Sequence, residues 1–339
     1  GYHILDQNRG YFMKPLRIAI VGATGLVGRK FLTILDHYQI PIASLKLFAS
    51  ETSIGHVMTF RNEPIEIQGI EKGCFNGIDV TLFSAGNHVS KRYAPQALEE
   101  GSYVIDNSSA FRMDDDVPLI VPEVNISDVK DHKLIANPNC STIQCMYPLH
   151  ILNQAFGIVD VDYHTYQAVS GAGQKGVNDL YDDEISYFSY DINETVIPHI
   201  DDFLKDGYTK EEHKMMNETK KILHMPNLSV SATCVRVPVH IGHAVSLKVT
   251  LKRDVDINLI RQTLKKHEHL IVLDEPEALR YPTMTHAKHR DVMFVGRLRK
   301  DLHDPKKILL FITADNIRKG AATNAIQIMR SIFDESYIM

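Results

Sequence analysis

"LRIAIVGATGLVG" (16–28) decides the fold. Leu16 to Val21 is an apolar run rich in Ile and Val, broken only by Arg17 and stopped by glycine. That is the signature of a short parallel strand buried on both faces. Gly22, Gly25 and Gly28 follow in a G-x-x-G-x-x-G pattern. "GRKFLTILDHY" (28–38) then sets apolar residues at 31, 32, 34 and 35, a helical spacing. Glycines between a strand and a helix allow a tight turn, close approach of a pyrophosphate and close helix–strand packing. The helix N-terminus adds N–H donors and positive dipole. The loop therefore reads as a dinucleotide site, with Gly22, Thr24, Gly25, Leu26 and Val27 as its contacts.

Outward from this loop, strand candidates continue at "LKLFAS" (45–50), "DVTLFSAG" (79–86), "YVIDNSS" (103–109), "LIVPEV" (119–124) and "KLIANP" (133–138). "HVSKRYAPQALEEG" (88–101) reads as a helix ending on Gly101. This βαβ rhythm predicts an α/β fold with a doubly wound, Rossmann-type N-terminal domain over 13–138. After Cys140 the texture changes. A helix of about a dozen residues precedes long alternating runs at 159–169, 228–239, 243–252, 292–300 and 307–315. They predict an α+β second domain, 139–319, built on a large mixed sheet with one face on helices. "KGAATNAIQIMRSIF" (319–333) reads as an amphipathic helix, and the segment 320–339 is expected to return to the first domain. Residues 1–12 read as a leader, appended or natural, outside the fold.

Composition narrows the function. The 339 residues are 44% apolar and 23% charged, with a net charge of −5 and no basic block. No electrostatic footprint for nucleic acid is present, and no apolar run has membrane-span length. Neither nucleic acid nor membrane is expected as a partner. Four scattered cysteines without a C-x-x-C pair predict no disulfide scaffold and no metal site. They suit a reducing, cytoplasmic compartment.

"LIANPNCSTIQCMYPL" (134–149) places Cys140 directly after Asn139, a good N-cap. A thiol in the first helical turn feels the dipole and nearby N–H groups, which favour the nucleophilic thiolate. Those N–H groups also suit an oxyanion. Cys74, Cys145 and Cys234 read as packing residues, and Pro148 is expected to kink the helix. A thiolate beside a nicotinamide has a chemical use. It adds to an aldehyde, the thiohemiacetal loses hydride, and phosphate releases the thioester as an acyl phosphate. The sequence runs backwards equally well, and it needs a general acid or base near the sulfur. Spacing alone does not find that group. His243 is one of 17 histidines, follows Gly242 in a turn and reads as exposed, with His240 an equal candidate. "YTKEEHKMMNETKKIL" (208–223) reads as a solvated, charged helix face.

"GATGLVG", "DNSSAFR" (106–112), "PLIVPEVN" (118–125), "ANPNCST" (136–142), "YQAVSGAGQKG" (166–176), "CVRVPV" (234–239) and "DNIRKGAA" (315–322) together resemble the aspartate-semialdehyde dehydrogenase family. The likeness runs in order from about Met13 to the C-terminus. The sister N-acetyl-glutamyl-phosphate reductases carry Gly-Cys-Tyr at the nucleophile, whereas Asn139-Cys140-Ser141 favours the first family. The resemblance implies a glyceraldehyde-3-phosphate-dehydrogenase-like fold. It implies reversible, NADPH-dependent reduction of L-aspartyl 4-phosphate to aspartate semialdehyde and phosphate. That reaction leads to lysine, diaminopimelate, threonine, methionine and isoleucine. It also implies a homodimer paired through the second domain.

The resemblance implies roles residue by residue. Cys140 is the nucleophile, and Gln167 orients the intermediate. His243, seven residues after Arg236, is the acid/base. Arg112 and Lys214 bind phosphate, and Arg236 pairs with the α-carboxylate. Glu211 holds the amino group, with Glu212 as the alternative register, and Asn139 also contacts substrate. Ser170, Gly171, Gly173 and Asn316 lie near the nicotinamide, and "SAGNHVS" (84–90) passes by the cofactor. Ser50 and Ser53 are candidate donors to an NADP 2′-phosphate, which Glu51 repels if it points inward. Thr52 replaces a common arginine, so NAD is possible too. Ala244 stands where the family usually has serine. A cofactor-binding sensor of the same fold has no need of Cys140, Gln167, Arg236 and His243 together.

Overall fold

The computed structural model describes residues 13–337. They form two compact units. One comprises the chain up to Pro138 together with the residues from Ala321 onward, the other Asn139–Gly320. The leader expected at 1–12 lies outside the described residues.

The first unit is built on a sheet of seven strands: β1 (Leu16–Val21), β2 (Ile42–Phe48), β3 (Val57–Phe60), β4 (Glu63–Gln68), β5 (Val80–Phe83), β6 (Tyr103–Asp106) and β7 (Leu134–Ala136). Their order is β3-β4-β2-β1-β5-β6-β7, parallel except for the β3–β4 hairpin. The order reverses beside β1, which pairs with both β2 and β5. That is where open α/β sheets hold their ligands. Alternation explains the unbroken apolar run of β1. Ile18 and Ile20 pack with Phe31, Ile34 and Leu35 of α1 (Leu26–His37) and with Ile326 and Met329 of the C-terminal helix, Thr323–Phe333. Ala19 and Val21 point to the other face, against Phe48, Phe75, Phe83 and Ala94 of α2 (Asn87–Glu99).

Two elements differ from expectation. "LIVPEV" (119–124) is not a strand. Leu119 makes one isolated bridge to Ala136, and Pro122 opens the short helix α3 (Pro122–Asn125). Proline fits the first helical position because its missing N–H has no partner there anyway. The β3–β4 hairpin went unread. Its turn residues Arg61 and Asn62 both adopt positive φ, 49° and 65°, as a two-residue hairpin turn demands. At the C-terminus a π-helical turn, Arg318–Ala322, precedes the helix, which starts at Thr323.

The second unit holds β8 (Ile158–Gln167), β9 (Ser229–Arg236), β10 (His243–Leu251), β11 (Leu270–Val272), β12 (Met293–Lys300) and β13 (Lys307–Ala314) in the order β11-β12-β13-β10-β8-β9. The sheet is mixed: β8–β9 and β11–β12 run parallel, while β10 is antiparallel to both neighbours. Helix α4 (Cys140–Phe156) packs against β8, β10 and β13. It is 17 residues long and continues through Pro148. Of the other helices, α5 (Gln174–Tyr181) adjoins the turn at 169–172, α6 (Lys210–Ile222) and α7 (Ile257–Lys265) pack beside α4, and α8 (Met284–Ala287) lies on β12 and β13. A capping box starts α6: Glu212 N–H donates to Thr209 Oγ1 at 3.3 Å, and Thr209 N–H donates to Glu212 Oε1 at 2.8 Å. Its acidic side is not solvated as expected, since Glu211, Glu212 and Glu218 are all buried. No helix among the described residues is long and apolar enough to cross a membrane.

The glycine loop generates a test. Gly22 has φ +87°, and a Cβ there would lie 2.2 Å from Ser84 O. A Cβ on Gly28 would lie 2.0 Å from Gly22 O, so α1 approaches β1 as only glycine permits. Gly28→Ala is expected to lower stability by about 1–3 kcal/mol and to weaken dinucleotide binding. Thermal melting and cofactor titration of the variant check both.

Candidate active site

Asn139 sets the start of α4. Its backbone is extended (φ −57°, ψ 142°), and its Oδ1 accepts from Ser141 N–H at 3.0 Å and Thr142 N–H at 3.2 Å. Its Nδ2 donates to Glu211 Oε1 and its backbone N–H to Glu218 Oε1, each at 2.7 Å. Cys140 follows as the first helical residue, half-buried, with Sγ 3.2 Å from His243 Nε2. Gly320 leaves room for it, since a Cβ there would sit 3.3 Å from Cys140 Cβ.

His243 is not the exposed turn histidine that spacing suggests. It opens β10 and is 0% exposed. Ala168 N–H donates to its Nδ1 at 2.9 Å. A backbone N–H can only donate, so Nδ1 is an acceptor and the proton of the neutral ring lies on Nε2, toward the sulfur. Burial first, and the nearby Arg236 second, hold its pKa well below the usual histidine value. His240, the equal candidate on sequence, hydrogen-bonds Tyr181 at 3.2 Å instead.

Three strand and helix ends complete the cluster. Gln167 closes β8; its Oε1 accepts from Thr165 Oγ1 at 2.8 Å and its Nε2 donates to Glu211 Oε1 at 3.2 Å. Glu211 also meets Lys214 at 3.3 Å. Burial pushes the Glu211 carboxyl upward, but Lys214, Asn139, Arg236 and Gln167 outweigh it and hold the group below the usual range. Arg236 closes β9 and donates from Nη1 to Ala168 O at 2.7 Å. Its buried Nε has no hydrogen-bond partner among the described residues, and burial lowers its pKa. A buried guanidinium with a spare N–H fits a carboxylate ligand. Gly171 lies against both groups: a Cβ there would fall 2.8 Å from Arg236 Nη1 and 3.1 Å from His243 Cε1.

Other expected positions have different surroundings. Asn316 Oδ1 accepts from Gly242 N–H at 2.8 Å and its Nδ2 donates to Ser170 Oγ at 3.0 Å, so it braces the turn before His243. Gly173, at φ +76°, joins the 3-10 turn Val169–Ala172 to α5. Glu212, the alternative register, is taken up by the capping box and by Cys234 N–H at 2.9 Å. In the first unit, Arg112 is buried and donates to Asn107 O and Asn137 O, both at 2.9 Å. Gly22, Thr24 and Gly25 form the loop, and Leu26 and Val27 the first turn of α1, whose N-cap Gly25 supplies no side-chain cap. Uncapped N–H groups behind a glycine loop suit a dinucleotide pyrophosphate. Ser50 and Thr52 are exposed and hydrogen-bond each other at 3.0 Å; Glu51 is exposed and Ser53 half-buried.

Sequence reading missed Glu218, Ala168 and Asp201. Glu218 carried a signal, since it lies seven residues after Glu211 and so on the same face of α6. Ala168 acts through its backbone, which no side-chain pattern reveals. Asp201 pairs with Lys214 at 2.8 Å from the irregular loop before α6, thirteen residues earlier, where no periodic pattern marks it.

Comparison with known proteins identifies the family. The family model for the NAD binding domain of semialdehyde dehydrogenases matches residues 17–132, and that for their dimerisation domain matches 149–319. Aspartate-semialdehyde dehydrogenase of Aquifex aeolicus is 47% identical over 337 residues, covering 95% of this chain and 99% of its own. That of Bacillus subtilis is 42% identical over 338 residues, covering 94% and 98%. The crystal structure of aspartate semialdehyde dehydrogenase II from Vibrio cholerae superposes with a TM-score of 0.91 at 39% identity, covering 96% of this chain and all of that one. The same enzyme has been solved in complex with ASA, with the same agreement.

Two tests follow from the site. Cys145 and Cys234 are buried and burial pushes both thiols up, whereas Cys140 is half-buried at a helix start. Brief alkylation of the native protein is expected to modify Cys140 first, read by peptide mass spectrometry. Cys74, half-buried with its thiol also pushed up by burial, reacts more slowly. The second test concerns pH. The folded state keeps His243 neutral, while the unfolded chain takes up its proton below about pH 6.5. Stability from this residue is therefore complete above that pH and is lost as pH falls. The melting temperature should fall as pH drops below about 6.5, and less steeply in His243→Gln.

Proposed function

This chain belongs to the aspartate-semialdehyde dehydrogenase family, and we propose that it catalyses the reversible, NADP-dependent interconversion of L-aspartate 4-semialdehyde and L-aspartyl 4-phosphate. One observation carries the reading: a helix-start thiol 3.2 Å from a buried imidazole Nε2.

In the oxidative direction the Cys140 thiolate attacks the aldehyde carbon, and the carbonyl oxygen becomes an oxyanion. The His243 Nε2–H, on the atom 3.2 Å from the sulfur, stabilises that charge. A nicotinamide dinucleotide, when bound, accepts the hydride that leaves this carbon, or supplies it in the reverse direction. The thioester then meets phosphate, whose oxygen attacks the acyl carbon and expels the Cys140 thiolate. Double protonation of His243 would set an Nδ1–H against the Ala168 N–H, so the ring acts from its neutral form. The proton it presents is the one on Nε2.

Substrate choice follows from charge. Arg236 offers its unpaired Nε to the α-carboxylate, and Glu211, held ionised by its neighbours, suits an ammonium group. An acylated amine carries no positive charge for Glu211, which disfavours N-acetylated glutamyl substrates. Lys214 and Arg112 are assigned to the phosphate, and Gln167, braced by Thr165, to orientation of the intermediate. For the cofactor, Ser50 and Ser53 are assigned to the NADP 2′-phosphate. Without an arginine at Thr52, NAD is accepted less selectively. The chain is assigned to a homodimer, in keeping with the name of the second family model, and to amino-acid biosynthesis in the cytoplasm.

The experiment is reduction of NADP by aspartate semialdehyde with and without phosphate, with NAD in parallel. Turnover is expected to require phosphate and to be faster with NADP. Cys140→Ser should lower it by at least about three orders of magnitude while cofactor binding persists. His243→Asn should lower kcat by about 10²–10⁴-fold with a smaller effect on KM. Turnover retained without the thiol sinks the assignment.

A further inference from the structure

Lys214 is already flanked by two carboxylates. Its Nζ lies 3.3 Å from Glu211 Oε2 and 2.8 Å from Asp201 Oδ2. Two carboxylates already share this one ammonium, so an incoming phosphate gains less from Lys214 until one of them withdraws. The two are not equally free to do so. The Glu211 side chain is 7% exposed, and its Oε1 also accepts from Asn139 Nδ2 at 2.7 Å and Gln167 Nε2 at 3.2 Å. Moving it would dismantle the cap beside Cys140. The Asp201 side chain is 30% exposed, and among the described residues its other oxygen accepts only the adjacent Asp202 N–H, at 2.8 Å.

The loop around Asp201 is fastened to α6 in series. Asp202 pairs with Lys210 at 2.7 Å, and Asp206 with His213 at 2.7 Å. Both of these pairs are more exposed than that of Asp201 with Lys214. They hold the loop in place without Asp201, so its carboxylate can swing away while the backbone stays. Asp201 has φ +67°, a left-handed conformation that Asp and Asn tolerate better than other side chains.

We propose that Asp201 is a resident anion on Lys214: it occupies the lysine in the unliganded protein, and phosphate or the acyl phosphate displaces it, so that Asp201 sets the affinity for the phosphoryl group. The proposal rests on the reading above that Lys214 serves phosphate. The residue acts through Lys214 and is a specificity-determining residue, not a participant in bond making. Its chemical effect is discrimination. A doubly charged phosphate competes with a carboxylate for one ammonium far better than a singly charged anion does, so weak anions are kept off.

Asp201→Asn keeps the size and the tolerated backbone conformation and removes the charge. The KM for inorganic phosphate in the phosphate-dependent reaction should fall about threefold to fivefold, with kcat changed less than about twofold. Calorimetric titration of the free protein with inorganic phosphate should show the same tightening, and chloride should become a stronger competitor. Asp202→Asn, an equal loss of charge on the neighbouring pair, should leave the KM for phosphate unchanged. An unchanged or raised KM in Asp201→Asn overturns the proposal, as does an equal shift in Asp202→Asn. Absence of turnover in the unmutated protein would refute the functional reading instead, and the calorimetric comparison would still decide whether Asp201 competes with phosphate.

Discussion

Asn139 meets four demands at once, and the rest of the site depends on its doing so. Its Oδ1 caps the first turn of α4 by accepting from Ser141 and Thr142, while Nδ2 and the backbone N–H are drawn to Glu211 and Glu218. An amide side chain has one acceptor end and one donor end, so the carboxylate at Glu211 fixes which end faces the helix. With the cap oriented, the next residue, Cys140, is placed at the first helical position. Its sulfur then sits at the positive end of the α4 dipole, a setting that suits a thiolate. The two carboxylates that perform this clamping come from one face of α6, which ties the Cys140 thiol to a second helix rather than to a loop.

The same reasoning explains why strand ends surround the thiol. Gln167 is the last residue of β8, Arg236 the last of β9 and His243 the first of β10. Because β8 and β9 are parallel, with Gln167 opposite Arg236, and β10 is antiparallel to β8, these three residues converge at one edge of the sheet. Side chains at strand ends are rigidly based yet free of the ladder beyond them. Ala168, one step past β8, uses that freedom twice, donating its N–H to His243 and accepting from Arg236. A backbone link of this kind fixes the imidazole tautomer more firmly than a mobile carboxylate would.

What the sequence revealed follows from how local each signal is. The strand–glycine–helix unit at 16–37 is legible because its residues are adjacent and its sterics absolute, as Gly22 and Gly28 show. Cys140 is legible for the same reason, since its cap is the preceding residue. His243 is not, because its burial comes from residues far along the chain, including Gln144 and Ala168. Glu211 reads as solvated because charge alone cannot show that Asn139 and Gln167 receive it. "LIVPEV" misled because an apolar run reports burial and not strand pairing. Leu119, Ile120 and Val121 are buried, but Pro122 turns the chain into a helix. The resemblance to a known family supplied the positions that local patterns left open.

The site also concentrates unfavourable terms that a folding criterion alone would remove. Arg236 is buried with an unpaired Nε, and burial opposes its charge. Glu211 is buried as an anion, and His243 is held neutral against its usual tendency. Each is tolerated because the others compensate in part: Glu211 supports Arg236, and Arg236 keeps His243 neutral. The compensation is incomplete at one atom, the Arg236 Nε. A carboxylate is the chemical group that would satisfy that atom, in keeping with the α-carboxylate proposed for it. Removing Arg236 alone would leave buried Glu211 with one cation fewer, so the group is costly to lose as well as to keep.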